Sequence, residues 1–244
     1  MNYILSATLY GAFGGILGTC AGGLLSLFFH KKDTKVLGFV FEYSAGLMIS
    51  VVCFDLLPEA FGLASFLNVF CGMVTGILIA MYMQEKLKFS NKAKKRNNGF
   101  ITTGLLMFAT IGIHNFPEGL VIGSGFDISK ALGISLTIVI VIHDIPEGLA
   151  LALPLREGGY GALKAVLFAA LSGVPTAFGA FVGAFAGHIS TSVIALCLSV
   201  AAGIMLYVSV GDLIPEAKKN YTGRFSILGN VLGILSGILI SKVL

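Results

Sequence analysis

Two short segments hold most of the side chains in this sequence that could do chemistry together. His114-Asn115-Phe116-Pro117-Glu118-Gly119 recurs 29 positions later as His143-Asp144-Ile145-Pro146-Glu147-Gly148. On a helix, the histidine and glutamate of each copy are four apart and share a face. Asn115 and Asp144 lie three residues before those glutamates, on the same side. Two facing helices built this way would converge imidazoles, carboxylates and an amide oxygen on one small volume. Such a donor set suits Zn²⁺, Fe²⁺, Mn²⁺ or Cd²⁺ better than alkali ions. No pair of thiolates accompanies it, which argues against a permanent structural zinc site.

Both segments sit in the middle of long apolar runs, where a charge costs several kcal/mol unless it is paired or coordinates a cation. Glu118, Asp144 and Glu147 have no Lys or Arg at their depth, so they need a cation, protons, or both. Pro117 and Pro146 cannot donate a backbone hydrogen bond, which frees the carbonyls of Ile113 and Ile142. Released carbonyls in a membrane span are tolerated where protein, water or ions satisfy them. Gly119 and Gly148 remove bulk beside the glutamates.

The elements that position these groups follow from composition. The chain has 244 residues, 56% of them hydrophobic and only 11% charged, with a mean hydropathy of +0.94. That excludes a soluble domain and predicts an all-α integral membrane protein. Eight apolar segments are long enough to cross a core of about 30 Å. Their limits fall near 3–29, 36–57, 61–83, 100–125, 128–155, 160–186, 190–216 and 225–243. The expected fold is an eight-helix transmembrane bundle, residues 1–244, with spans four and five carrying the central motifs. The 32 glycines suit close helix packing in lipid.

The net charge of +4 is topological and does not indicate nucleic acid. Assigning the loops to alternate sides puts 14 of the 16 basic residues on one side and leaves Lys130 and Lys242 on the other. The positive-inside rule then places both termini outside the cytoplasm and the basic loop near 84–99 within it. The opening Met-Asn-Tyr-Ile lacks a signal peptide's basic region, so the first span is expected to be retained. Cys20, Cys53, Cys71 and Cys197 show no C-x-x-C spacing and read as small buried hydrophobes. His30 and His188 read as residues at span ends.

A second internal similarity links spans two and seven. Ala45-Gly46-Leu47-Met48 and Asp55-Leu56-Leu57-Pro58-Glu59-Ala60 recur, at a constant offset of 157, as Ala202-Gly203-Ile204-Met205 and Asp212-Leu213-Ile214-Pro215-Glu216-Ala217. Nine of the seventeen positions from 44 to 60 match. With eight spans, span two runs outward and span seven inward. The expectation is an inverted repeat of spans 1–3 and 6–8, the architecture of many secondary transporters. Asp55 and Glu59 then fall near one membrane face, with Asp212 and Glu216 near the other, as steps towards and away from the centre. The competing reading is that Pro58 and Pro215 end their helices and the glutamates are interfacial. Met48 and Met205 read as packing before they read as ligands.

The paired HNFPEG and HDIPEG segments, the eight spans and the outward termini together resemble the ZIP (Zrt-/Irt-like) family of divalent-metal transporters, in its prokaryotic branch. That resemblance covers essentially the whole chain. It implies carriage of Zn²⁺ and related ions into the cytoplasm, across a bacterial or archaeal inner membrane, commonly by a homodimer. The metal is cargo rather than a cofactor, and no enzyme activity is implied. The implied ligands are His114, Asn115, Glu118, His143, Asp144 and Glu147, with Met48 bordering the site. Also implied is an elevator-like movement of spans 1, 4, 5 and 6 against spans 2, 3, 7 and 8. One departure stands out. Some bacterial relatives have a glutamate in an S-G-x-x-E-P pattern of span six that bridges two metals. Here Ser172-Gly173-Val174-Pro175-Thr176 puts Thr176 at that place, so one well-formed metal position is expected.

Other classes fit less well. An intramembrane metallohydrolase would call for H-E-x-x-H and a metal-bound water, whereas H-x-x-x-E occurs twice here. A channel or proton-coupled exporter could use the same residues, since carboxylates and histidines also carry protons.

Overall fold

Helices that are apolar around most of their circumference cannot hide in a soluble core. They place Leu5, Leu9, Phe66, Leu163 and Leu239 outward, each at least 60% exposed, as spans facing lipid do. A computed structural model of the chain describes residues 2–29, 34–92, 99–187 and 190–243. Its helices are α1 (Asn2–Leu25), α2 (Thr34–Val51), α3 (Leu57–Leu63), α4 (Phe66–Lys92), α5 (Gly99–Ile128), α6 (Lys130–Glu157), α7 (Ala162–Ser172), α8 (Val174–Gly187), α9 (Thr191–Val208), α10 (Ile214–Asn220) and α11 (Arg224–Val243). No strand occurs among the described residues. Seven helical segments among them are long and apolar enough to cross a membrane. The helix α5, 30 residues long, carries the first central motif and packs against α6, α8 and α9.

The helices can be described in two groups, which meet where α5 packs on α9 and α2 on α6. In one, α5 packs along α8, and α1 packs against α6, α7 and α8. Glycines permit this: a Cβ at Gly22 would run into the backbone of Ile145, and one at Gly15 into Gly173 and Thr176. Polar ties hold both ends of this group. Tyr3 Oη lies 3.0 Å from the Asp127 carboxylate and 2.6 Å from the Ala184 carbonyl. At the opposite end Arg156 donates to the Ser26 carbonyl. In the second group α2 packs along α11 and α4 along α9, with α10 on α2 and α3 on α9. Asn230 there donates to the Glu42 carbonyl and Ser226 to that of Gly38.

The 157-residue offset seen in the sequence reappears in the elements. Thr34–Val51 plus 157 gives Thr191–Val208, and Leu57–Leu63 gives Ile214–Asn220. Contacts obey it too. Gly46 rests on the Asn230 carbonyl, and Gly203 on the carbonyl of Met73, the residue 157 before Asn230. Gly233 meets the Tyr43 carbonyl, and Gly76 that of Val200. Helices of one half therefore pack on helices of the other, twice over, in the same way.

Several sequence expectations need correction. Pro58 and Pro215 do not end their helices: a widened turn, Val52–Leu56 and Ser209–Leu213, precedes each, and the helix resumes. The widened turn absorbs the hydrogen bond that each proline cannot donate. Span six is broken, with α7 stopping at Ser172 and α8 starting at Val174. The helix of span three continues to Lys92, well into the stretch read as a loop. Cys53 and Cys71 are exposed, and Cys20 and Cys197 partly so, since a lipid-facing surface accepts a thiol as readily as a core does. His30, His188 and residues 93–98 lie outside the described residues.

Candidate metal centre

The site begins with two prolines inside unbroken helices. Pro117 in α5 and Pro146 in α6 lie within their helices rather than at the ends. Each leaves the helical face that carries its neighbouring His and Glu intact. Gly119 lets α5 approach the backbone of α8 at Thr176, and Gly148 lets α6 approach the backbone of α1 at Thr19. The bulk removed beside Glu118 and Glu147 is thus replaced by neighbouring main chain.

Ligand atoms of Glu118, His143, Asp144 and Glu147 all lie within 4.8 Å of one another, and all four residues are buried. His143 Nε2 is 2.8 Å from Glu118 Oε1, 3.3 Å from Glu147 Oε1 and 3.7 Å from Asp144 Oδ1. These approaches are close, yet His143 Nε2, Glu118 Oε1, Asp144 Oδ1 and Glu147 Oε1 satisfy no hydrogen-bond geometry. His114 joins through Glu147, its Nε2 lying 2.6 Å from Oε2.

Two further buried oxygens lack partners. Asn115 donates its amide to the Ser172 carbonyl at 2.8 Å, which leaves its Oδ1 buried with no hydrogen-bond partner. Thr176 Oγ1 is likewise buried and unpartnered. Buried polar atoms almost always find partners, and leaving one unsatisfied costs about 1–3 kcal/mol. Their concentration here, on residues rich in carboxylate and imidazole, is the signature of groups arranged for a cation.

Not every expected residue joins. Met48 is fully buried in the apolar core, where its Sδ lies 3.6 Å from Ser209 Oγ. Asp55 and Glu59 line a cavity of about 390 Å³ whose floor includes Val121, Leu136 and Val139. Val121 and Val139 are each about one turn from the central ligands. Asp212 receives a hydrogen bond from the amide of Gln84, whose carbonyl accepts one from Tyr207 at 2.9 Å. Glu216 pairs at 2.7 Å with the well-exposed Lys219, an ordinary helix-surface pair. Gln84 and Tyr207 were not singled out in the sequence. A polar amide at the end of an apolar span was the available signal.

A many-helix membrane protein enclosing a buried imidazole–carboxylate cage is, as a class, built to handle metal ions within the membrane. The chain belongs to the ZIP zinc transporter family, whose model matches residues 83–244. It is 32% identical to the zinc transporter ZupT of Akkermansia muciniphila, over 96% of each chain. ZupT of Chlorobium chlorochromatii is 31% identical over 95% of each. Human zinc transporter ZIP11 is 37% identical over 137 residues, 53% of this chain and 40% of that one.

Proposed function

We propose that this chain carries Zn²⁺, with Fe²⁺, Mn²⁺ and Cd²⁺ as further cargo, into the cytoplasm through the cage on α5 and α6. One observation carries the reading: four buried ligand residues, Glu118, His143, Asp144 and Glu147, converge within 4.8 Å. His114 and Asn115 complete the set. The names of the relatives support zinc as the main ion. Asp55 and Glu59 form the approach, Asp212 the departure, and Thr176 limits the centre to one well-held ion. A cargo ion has to leave, which a set of oxygen and nitrogen donors permits more readily than a closed thiolate site.

In this reading α5 is the span that completes eight, and the repeat of spans 1–3 and 6–8 is inverted across the membrane. The basic loop lies in the cytoplasm and both termini outside a bacterial or archaeal inner membrane. The body of α1 and α5–α8 moves as an elevator against that of α2–α4 and α9–α11. A homodimer in lipid is the expected assembly.

The test is zinc uptake into proteoliposomes by the parent, Glu118→Ala and Glu147→Ala. Saturable uptake lost in both variants is expected. Normal rates for every divalent ion in both would end the assignment, and unsaturable voltage-driven flux would indicate a pore.

A further inference from the structure

The two related halves make a comparison possible between the two sides of the centre. Adding 157 takes Asp55 to Asp212, Ser50 to Tyr207 and Gln84 to Ser241. Asp55 and Ser241 line one cavity, and at the equivalent place Asp212 accepts a hydrogen bond from Gln84. The carboxylates are equivalent, but their companions differ greatly in size. The cavity lined by Asp55 and the short Ser241 measures about 390 Å³, while Ser50 packs against Gly237 of α11. Beside Asp212 stand a glutamine and a tyrosine, and the remaining space is about 10 Å³, room for one water at most. That small space touches Thr110 and Ile113 of α5, Thr110 being one turn from His114. Where the side chains are short the route is wide; where they are long it is filled.

We propose that Gln84 and Tyr207 form the gate on the Asp212 side. The inference rests on the cargo path proposed above. With the Gln84 amide on Asp212 and the Tyr207 hydroxyl holding Gln84 from behind, the way from the centre to the basic-loop face is shut. A divalent ion arriving there competes with the Gln84 amide for the carboxylate. Charge favours the ion, so the cargo itself displaces Gln84 and opens the gate. A lysine at this position would be a cation of its own and would not yield so readily. Tyr207 sets how firmly the gate is held, since its hydroxyl fixes the glutamine carbonyl.

Thiol labelling tests this without any metal. The four native cysteines are replaced, Thr110→Cys is added as reporter, and a membrane-impermeant cationic methanethiosulfonate is applied to proteoliposomes from the basic-loop face. Gln84→Ala is expected to raise the labelling rate roughly tenfold, the effect of removing a hydrogen bond to a charged group from the closed state. Tyr207→Phe removes one hydroxyl and should raise it roughly threefold; this variant decides the matter should Gln84→Ala fail to elute as a folded species. In the opposite direction, Ser241→Gln should slow labelling of Ser135→Cys in the Asp55 cavity. Parental labelling rates in both Gln84→Ala and Tyr207→Phe would overturn the gate. Because labelling is read with no ion present, faster labelling in a protein that carries no divalent ion would uphold the gate and reject the cargo path instead.

Discussion

Glu147 Oε2 lies 2.6 Å from Nε2 of His114, a residue 33 positions earlier on the other central helix. The second oxygen of the same carboxylate is 3.3 Å from His143. Glu147 therefore joins both imidazoles and both motifs. His114 lies outside the four-residue cluster, and its contact with that cluster runs through the carboxylate it orients.

Different roles for the two follow. His114→Ala should weaken zinc binding roughly 10- to 100-fold, as loss of an orienting partner does, with maximal uptake kept within a few-fold. Glu147→Ala should abolish saturable uptake. Uptake measured against zinc concentration separates the two, and equal losses of maximal rate would contradict the assignment.

Gly119, next to Glu118, packs on the Thr176 backbone, while the buried and unpartnered Thr176 hydroxyl lies against Gly15 of α1. Thr176→Glu would add a carboxylate to a volume that already holds three. The expected outcome is a rise in bound Cd²⁺ per chain from one towards two, measured by elemental analysis. Two fully occupied ions in the parent, seen by anomalous scattering, would show that threonine imposes no such limit.

Gly148 meets the backbone of Thr19, which cannot swing aside as a flexible side chain could. Gly148→Val should destabilise the bundle by about 1–3 kcal/mol or more through overpacking. Thermal unfolding in detergent checks this. Gly62, with nothing within 4 Å of its Cβ position, provides the control: Gly62→Ala should leave the unfolding temperature unchanged.

Thr110 of α5 and Val208 of α9 face one small space across the boundary between the two groups of helices. In a background without native cysteines, Thr110→Cys and Val208→Cys joined by a short cleavable bifunctional thiol reagent should stop zinc uptake, and cleavage of the bridge should restore it. Undiminished uptake by the bridged protein would rule out sliding of one group past the other at this point.

The chemistry of the centre was legible because its signal is local: a four-residue spacing on a helix face, written twice, in segments with no other reason to hold acids. The repeat was legible from Asp55 and Asp212 and their neighbours. What surrounds them was less so. Pro58 and Pro215 read as ends because proline forbids one hydrogen bond, but a widened turn upstream absorbs that loss. Glu216 looked like Glu59, yet Lys219 claims it at the surface. The cysteines misled because hydrophobic means buried only in water; in lipid, Cys53 and Cys71 stay outside. Gln84 escaped notice because its partners, Tyr207 and Asp212, are more than 120 residues away.

The crossed pairing of the halves bears on how the protein is made. α2 leaves the ribosome early, but the helix it packs along is α11, about 170 residues later. The carbonyls against which Gly46 rests, and the glycine that receives Tyr43, both belong to that late helix. Until α11 is inserted, α2 must wait in the bilayer with its small-residue face against lipid tails or the insertion machinery. Mutations in α11 should therefore appear first as early-span degradation during synthesis, before any defect in carrying ions.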